Sequence, residues 1–191
     1  MRKLKLQVQM TIDGYVAGSN GEMDWLTFDW DDRLKQYTEE LTAPVSCIVL
    51  GRKLAQGFIP HWATVAATAD GSEMAAGRKF TDTPKVVFTK TLDQSEWDNT
   101  ILAKGNLVEE INNLKQQAGG DLIAYGGATF VSELIKYGLI DEYHLYINPV
   151  AIGKGMPIFQ ALASKQHLAL VQSTSFDCGI VVLKYVPEYD E

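Results

Sequence analysis

The sequence is poor in cysteine and has no arrangement of residues typical of a metal site. Its two cysteines, Cys47 and Cys178, are too few for a disulfide framework. Such low usage is typical of a reducing compartment, so we expect a cytoplasmic protein. The three histidines, His61, His144 and His167, are scattered without metal-ligand spacing. The H-x-E and P-C-x-x-C signatures are both missing, which excludes zinc-dependent deamination.

Long apolar runs and an excess of positive charge are also missing. No apolar stretch approaches the ~20 residues that span a bilayer. The basic start MRKLKLQVQM is not followed by the apolar segment of a signal peptide. The net charge of −7 argues against general nucleic-acid binding, which needs a basic surface. We therefore expect no membrane or nucleic-acid partner, and a bound anion would need a local group of cations and backbone N–H groups.

Strand and helix patterns alternate through most of the chain. Helical patterns occupy DDRLKQYTEELTA, RKLAQGF, NLVEEINNLKQQAGG and ATFVSELIKY, between the apolar strands LKLQVQM, VSCIVLGR, PKVVFTKT, NTILAK, DLIAY and EYHLYINPVAI. LALVQSTSF and IVVLKYV predict a terminal hairpin. Residues 59–83 are predicted to be mainly a long loop. The pattern predicts a single α/β domain over residues 1–191, with a mostly parallel sheet and an antiparallel edge.

Three short segments at predicted strand ends carry groups that bind phosphate: Gly51-Arg52-Lys53, Thr89-Lys90-Thr91 and Gly126-Gly127-Ala128. Ligands of such sheets lie beyond the carboxyl ends of the strands. Each segment alone has an ordinary explanation as surface charge, strand residue or tight turn. Together they predict a polyanion site, for which a dinucleotide is the natural ligand. Neither G-x-G-x-x-G after the first strand nor G-x-x-x-x-G-K-[ST] occurs, which argues against an ordinary Rossmann domain and a P-loop hydrolase.

Several of these stretches carry a resemblance to a known family. MTIDGYVAG, MDWL, the Gly-Arg after a buried strand, VVFTKTL and LIAYGGATFVSELIKYGLIDEYHLYINPVAIGKGMPIF resemble the dihydrofolate-reductase-like superfamily. Within it, they are similar to the branch related to the C-terminal reductase domain of the bifunctional riboflavin-biosynthesis deaminase-reductase. The resemblance implies a three-layer αβα fold with a sheet of about eight strands. It also implies a homodimer that binds NADPH and a small-molecule substrate.

The resemblance also implies positions for the cofactor. Gly51, Arg52 and Lys53 would bind its phosphates, and Thr89 and Lys90 would lie near the 2′-phosphate and adenine. The diphosphate and nicotinamide would be bound by residues near the other strand ends: Gly126, Gly127, Ala128, Thr129 and Phe130 for the diphosphate, and Val16 and Ala17 for the nicotinamide. The peptide between the two glycines is commonly cis in this family. Leu54 stands where the family usually has threonine, which removes one hydroxyl from the phosphate site.

Hydride transfer from a nicotinamide also needs a proton source near the acceptor. Asp13 is the first candidate, with a turn-forming Asp-Gly as the alternative. Asp29 and Asp31 are the second candidates, with helix N-capping as the alternative. Trp25 could stack on a planar substrate ring or make a core or dimer contact, and Asp31 could also contact the substrate. His61 and Trp62 would close the predicted long loop over the substrate or simply pack within it.

These features predict an NADPH-dependent reductase of a small heterocycle. The family substrate is 5-amino-6-(5-phosphoribosylamino)uracil, an intermediate of riboflavin biosynthesis. Its phosphate would require cations, and the acidic stretch over residues 22–32 is unfavourable for it. Dihydrofolate reductase-type activity and a non-catalytic nucleotide-binding dimer stay open as alternatives.

Overall fold

The computed structural model describes residues 1–188, and it contains five helices and eight strands within them. In chain order these are β1 (Leu4–Thr11), α1 (Asp32–Thr42), β2 (Val45–Gly51), α2 (Arg52–Thr68), α3 (Gly71–Asp82), β3 (Lys85–Phe88), β4 (Thr100–Ala103), α4 (Leu107–Gln116), β5 (Asp121–Ala124), α5 (Ala128–Lys136), β6 (Glu142–Asn148), β7 (Leu168–Ser175) and β8 (Val181–Pro187). None of the helices in this range is long and apolar enough to cross a membrane.

All eight strands form one sheet in the order β4-β3-β2-β5-β1-β6-β8-β7. Strands β1 to β6 are parallel, whereas β8 runs antiparallel to both β6 and β7. This mixed sheet with its terminal hairpin confirms the predicted architecture. Because β3, β2, β5, β1 and β6 are neighbours and point the same way, their carboxyl ends lie side by side. We name this side of the sheet the carboxyl edge.

Apolar side chains cover both faces of the central strands. On one face, Leu6 and Val8 of β1 belong to a cluster with α4 and α5. On the other face, Ile48 and Leu50 of β2 belong to a cluster with α1, α2 and α3. This burial on both faces explains why CIVL within β2 is an uninterrupted apolar run rather than an alternating one.

The predicted long loop over residues 59–83 is wrong, because α2 continues through Pro60 and α3 follows almost at once. A proline inside a helix removes one backbone hydrogen bond and favours a break. Here the packing of α2 on α3 outweighs that effect. The rings of Phe58 and Trp62 on α2 lie 5.0 and 5.6 Å from the ring of Phe80 on α3. These contacts are between residues distant in sequence, so the local pattern did not reveal them.

Candidate active site at the carboxyl edge

The three predicted phosphate-binding segments follow β2, β3 and β5, which are neighbours in the sheet. Gly51 at the end of β2 pairs with Phe88 at the end of β3, and Val49 pairs with Ala124 at the end of β5. The Phe88 ring lies 5.2 Å from that of Phe130 on α5. A Cβ at Gly51 would lie only 2.8 Å from the Cβ of Phe130. The structure therefore brings the three segments together, and a glycine is required where α5 crosses the end of β2.

The Gly126-Gly127 turn depends on glycine for its backbone conformation. φ is +133° at Gly126 and +81° at Gly127, values that other residues disfavour. All peptide bonds in residues 1–188 are trans, so the expected cis peptide between the two glycines is wrong. Among residues 1–188, and apart from the two chain neighbours of Gly127, only Leu54 and Phe130 have atoms within 4 Å of a Cβ built at Gly127. The turn therefore leaves room for a ligand to approach the backbone.

Two helices begin at the carboxyl edge with no cap from any side chain of residues 1–188. The N-cap residues of α2 and α5 are Gly51 and Gly127, and neither first turn contains an acid. By contrast, Asp31 caps α1 and Asn106 caps α4 by accepting hydrogen bonds from backbone N–H groups. The unpaired N–H groups and the helix dipoles of α2 and α5 both favour an anion. Their common location makes this edge a candidate phosphate site.

The side chains proposed to bind phosphate differ in the hydrogen bonds that they already make within the protein. Arg52 is half-buried and its Nη1 donates to Gln56 Oε1 at 3.2 Å, while Lys53 is exposed. Lys90 Nζ donates to two backbone carbonyls in the turn after β4, at 2.6 and 2.9 Å. The buried Thr89 hydroxyl oxygen accepts two backbone N–H bonds of its own turn, both at 3.1 Å. A phosphate would therefore compete with backbone carbonyl groups for Lys90 and with the Gln56 side-chain oxygen for one nitrogen of Arg52, whereas Lys53 is exposed.

Asp13 joins the loop after β1 to the loop after β6. Its carboxylate accepts hydrogen bonds from Ile152 N at 3.1 Å and from Gly153 N at 2.7 Å. A hydrogen bond from the Thr11 side chain, together with these two backbone bonds, lowers the pKa of Asp13. A carboxyl group with a lowered pKa is ionised near neutral pH and therefore holds no proton to donate. Asp13 therefore ties the loop after β1 to Ile152 and Gly153 of the loop after β6, and we name this set of hydrogen bonds the clamp.

Val16 and Ala17 lie buried next to this clamp. Val16 N donates to Met156 O at 2.9 Å, and Met156 N donates to Ala17 O at 2.8 Å. A Cβ at Gly155 would collide with the Ala17 carbonyl and with Tyr15. The Gly153-Lys154-Gly155 stretch therefore allows the loop after β6 to pack closely on the loop that carries Val16 and Ala17.

Residues 18–31, which we name the acidic segment, hold the remaining candidates. Asp29 is exposed. Trp25 is half-buried, and its buried indole N–H has no hydrogen-bond partner among residues 1–188. The two oxygens of Asp31 accept hydrogen bonds from Leu34 N at 2.9 Å and Cys178 N at 3.1 Å. The bond from Leu34 N is the main cause that lowers the pKa of Asp31. The helix-cap interpretation of Asp31 is thereby confirmed, and substrate contact by this carboxylate would have to share those oxygens.

The sequence analysis placed His61 and Trp62 in a long loop beside the substrate. This placement is wrong, because both residues lie within α2. The Trp62 ring stacks against Phe80 of α3. In the described part of the chain, no group of three or more His, Cys, Asp and Glu side chains is arranged to hold a metal ion.

The sequence analysis missed Asn148, a fully buried polar residue at the end of β6. Its side chain connects β6 to β1 and to the acidic segment. The signal that could have identified it was an asparagine closing an apolar strand directly before Pro149.

Comparison with known proteins agrees with this fold. Residues 2–182 match the family described as the RibD C-terminal domain. The uncharacterized protein YyaP of Bacillus subtilis (strain 168) is 32% identical over 188 residues, which cover 96% of this chain and 94% of YyaP.

Solved structures show the same architecture. A putative riboflavin biosynthesis protein from Shewanella sp. PV-4 has a TM-score of 0.72 at 21% identity, with 99% of this chain and 100% of that chain covered. A diaminohydroxyphosphoribosylaminopyrimidine deaminase/5-amino-6-(5-phosphoribosylamino)uracil reductase from Thermotoga maritima has a TM-score of 0.70 at 17% identity, with 98% and 57% covered. The predicted dihydrofolate-reductase-like fold is confirmed. The chain belongs to the RibD C-terminal domain family.

Proposed function

We propose that the protein is an NADPH-dependent reductase of a small heterocyclic substrate. The observation that carries the proposal is the convergence of two uncapped helix starts, the Gly126-Gly127 turn and the cations Arg52 and Lys53 at the carboxyl edge. A diphosphate fits this arrangement, because N–H groups and cations meet its negative charges while the glycines allow close approach. Membership of the RibD C-terminal domain family supports the same ligand.

The residues of this chain would divide the binding of NADPH among three strand ends. Backbone N–H groups of Ala128 and Thr129 bind the diphosphate, with Arg52 and Lys53 beside them. Thr89 and Lys90 contact the 2′-phosphate, and Val16 and Ala17 border the nicotinamide. When bound, NADPH supplies the hydride that reduces the substrate. The protein orients the two molecules and excludes water.

The charge of the acidic segment bears on the substrate. It contains four acids, Glu22, Asp24, Asp29 and Asp31, and no lysine or arginine. A phosphorylated substrate such as 5-amino-6-(5-phosphoribosylamino)uracil would be repelled by these charges. An uncharged or cationic heterocycle with a reducible carbonyl or imine fits better. Reduction of dihydrofolate and NADPH binding without turnover are the two alternatives. Measuring NADPH oxidation with a panel of substrates separates them from the proposal.

NADPH is expected to bind at least about tenfold more tightly than NADH, because Lys90 gains a charge-assisted contact with the 2′-phosphate. Titration of the tryptophan fluorescence with each nucleotide measures the two Kd values. Lys90→Ala should bring the two values to within about threefold, while Lys165→Ala, a change at an exposed site, should leave the ratio unaltered. Equal Kd values for the two nucleotides in the wild type, or no quenching by either, would overturn the proposal.

The same protein should oxidise NADPH in the presence of the correct heterocycle. Loss of NADPH absorbance with dihydrofolate, with the phosphoribosyl pyrimidine and with unphosphorylated pyrimidines and pteridines identifies which is reduced. A selective reaction with the phosphoribosyl pyrimidine would refute the charge argument. NADPH binding with no reduction across the panel would favour the non-catalytic alternative.

Asp13 is expected to act as a clamp, so Asp13→Asn should keep kcat within about threefold of the wild type. An asparagine oxygen still accepts the bonds from Ile152 N and Gly153 N, whereas Asp13→Ala removes both. The kcat of Asp13→Ala should fall roughly tenfold or more. If the kcat of Asp13→Asn instead fell by roughly 10²–10⁴-fold, the loss typical of a missing general acid, Asp13 would be the proton donor.

A further inference from the structure

We propose that Asn148 is the positioning residue that holds the acidic segment beside the nicotinamide end of the site. The inference rests on the proposed function, because it assigns the substrate side of the same cleft. Asn148 is 0% exposed and is the last residue of β6. It pairs with Thr11, the last residue of β1, so it lies where the loop carrying Val16 and Ala17 begins.

The Asn148 amide uses both its donor and its acceptor. Nδ2 donates to Gln9 Oε1 at 2.9 Å and to Tyr146 O at 3.1 Å, with Met10 O at 3.4 Å. Oδ1 accepts a hydrogen bond from Thr27 N at 3.1 Å. The donors fix the amide plane against β1 and β6, and this orientation aims the oxygen at the acidic segment.

This bond is the single hydrogen bond within residues 1–188 that joins residues 22–30 to the sheet. The other hydrogen bonds of this stretch stay inside the segment, such as Leu26 N to Met23 O at 3.3 Å and Trp30 N to Phe28 O at 2.8 Å. Asp31, at the end of the acidic segment, is held separately by Leu34 N and Cys178 N. The position of residues 22–30 over the carboxyl edge therefore depends strongly on Asn148.

Thr27 also contacts Trp30, an aromatic residue of the segment. Its carbonyl accepts a hydrogen bond from Trp30 Nε1 at 2.9 Å. The Trp30 ring in turn stacks on Tyr146 of β6, with centroids 5.8 Å apart and planes at 27°. Asn148, Thr27 and Trp30 thus form one connected unit that starts and ends on β6.

Only an amide meets both requirements at position 148. Aspartate could accept from Thr27 N but would bring a buried negative charge against Gln9 Oε1 and two carbonyl oxygens. Alanine would lose every bond and leave the Thr27 N–H unpaired. The position therefore requires the geometry of asparagine rather than polarity alone.

Two variants test the inference from opposite sides of the bond. Asn148→Ala removes the acceptor, and Thr27→Pro removes the donor from a half-buried loop position while leaving the core intact. Ser132→Ala is the control, because it deletes a buried hydrogen bond elsewhere in the fold, to Ile158 O at 2.8 Å. NADPH Kd, acrylamide quenching of the fluorescence of bound NADPH, and chymotryptic cleavage within residues 23–30 are measured for all three.

In both test variants, we expect acrylamide quenching of bound NADPH to rise at least about twofold, because the nicotinamide loses its cover. Cleavage of the segment should rise about tenfold, and the Kd should stay within about threefold of the wild type. Ser132→Ala should change none of these. Unaltered quenching in Thr27→Pro would overturn the inference alone. Absence of NADPH binding to the wild type would instead overturn the proposed function, and the inference with it.

Discussion

Replacing Gly127 with alanine is expected to raise the Kd for NADPH at least about 100-fold, or about 2.7 kcal/mol. At φ +81°, a Cβ costs about 1–2 kcal/mol in backbone strain, so the turn shifts towards other conformations. The new methyl group would also occupy the space in which the diphosphate approaches the N–H groups of α5. Tryptophan fluorescence titration with NADPH measures the loss.

Gly138 offers a matched control for this substitution. Its φ is +62°, and a Cβ there would meet no atom within 4 Å. Gly138→Ala also places a side chain at positive φ, so it should lower the thermal midpoint, yet bind NADPH as the wild type does. If both variants bound NADPH equally well, the Gly126-Gly127 turn would be a structural turn only, and the proposed diphosphate site would be wrong.

Stability is expected to fall by about 3 kcal/mol between pH 6.5 and pH 4, because His144 must stay neutral in the folded protein. Burial lowers the pKa of His144 to about 4, although the hydrogen bond with Glu142 opposes the shift. His144 is 3% exposed, bonded to Tyr37 Oη at 2.8 Å, with Lys5 and Lys184 nearby. In the unfolded chain its pKa is about 6.5, so below that pH the unfolded state binds a proton that the folded state does not. Urea unfolding at a series of pH values measures the slope.

A second loss should follow at lower pH. Although burial raises the pKa of Glu142, the hydrogen bond from Lys3 and the charge of Lys184 bring it to about 2. A carboxyl with a depressed pKa stabilises the fold above its unfolded value, and this stabilisation disappears as pH falls from about 4.5 to 2. The two windows are therefore ordered, with His144 acting first.

Substitution separates His144 from the other histidines. His144→Gln should flatten the dependence between pH 6.5 and pH 4.5, since the side chain no longer titrates. His61→Gln changes an exposed histidine and should leave the dependence as in the wild type. An identical slope in the wild type and in His144→Gln would show that His144 does not carry the acid sensitivity.

Features that depend on neighbouring residues could be predicted from the sequence by itself. The strand patterns, the helix within NLVEEINNLKQQAGG, the terminal hairpin and the glycines at the end of β5 all follow from side-chain periodicity and from backbone preferences of single residues. The α/β class and the order of the elements could therefore be predicted from the sequence. The carboxyl edge could be predicted too, because parallel strands place their ends together.

Features that depend on contacts between distant residues were decided only by the tertiary structure. The continuation of α2 through Pro60 depends on packing against α3, and the second oxygen of Asp31 is taken by Cys178, far along the chain. The clamp at Asp13 and the bonds of Asn148 likewise join loops that are close only after folding. Periodicity records which side chains are buried, but a hydrogen-bond partner is chosen by three-dimensional position, so these roles could not be read from the sequence.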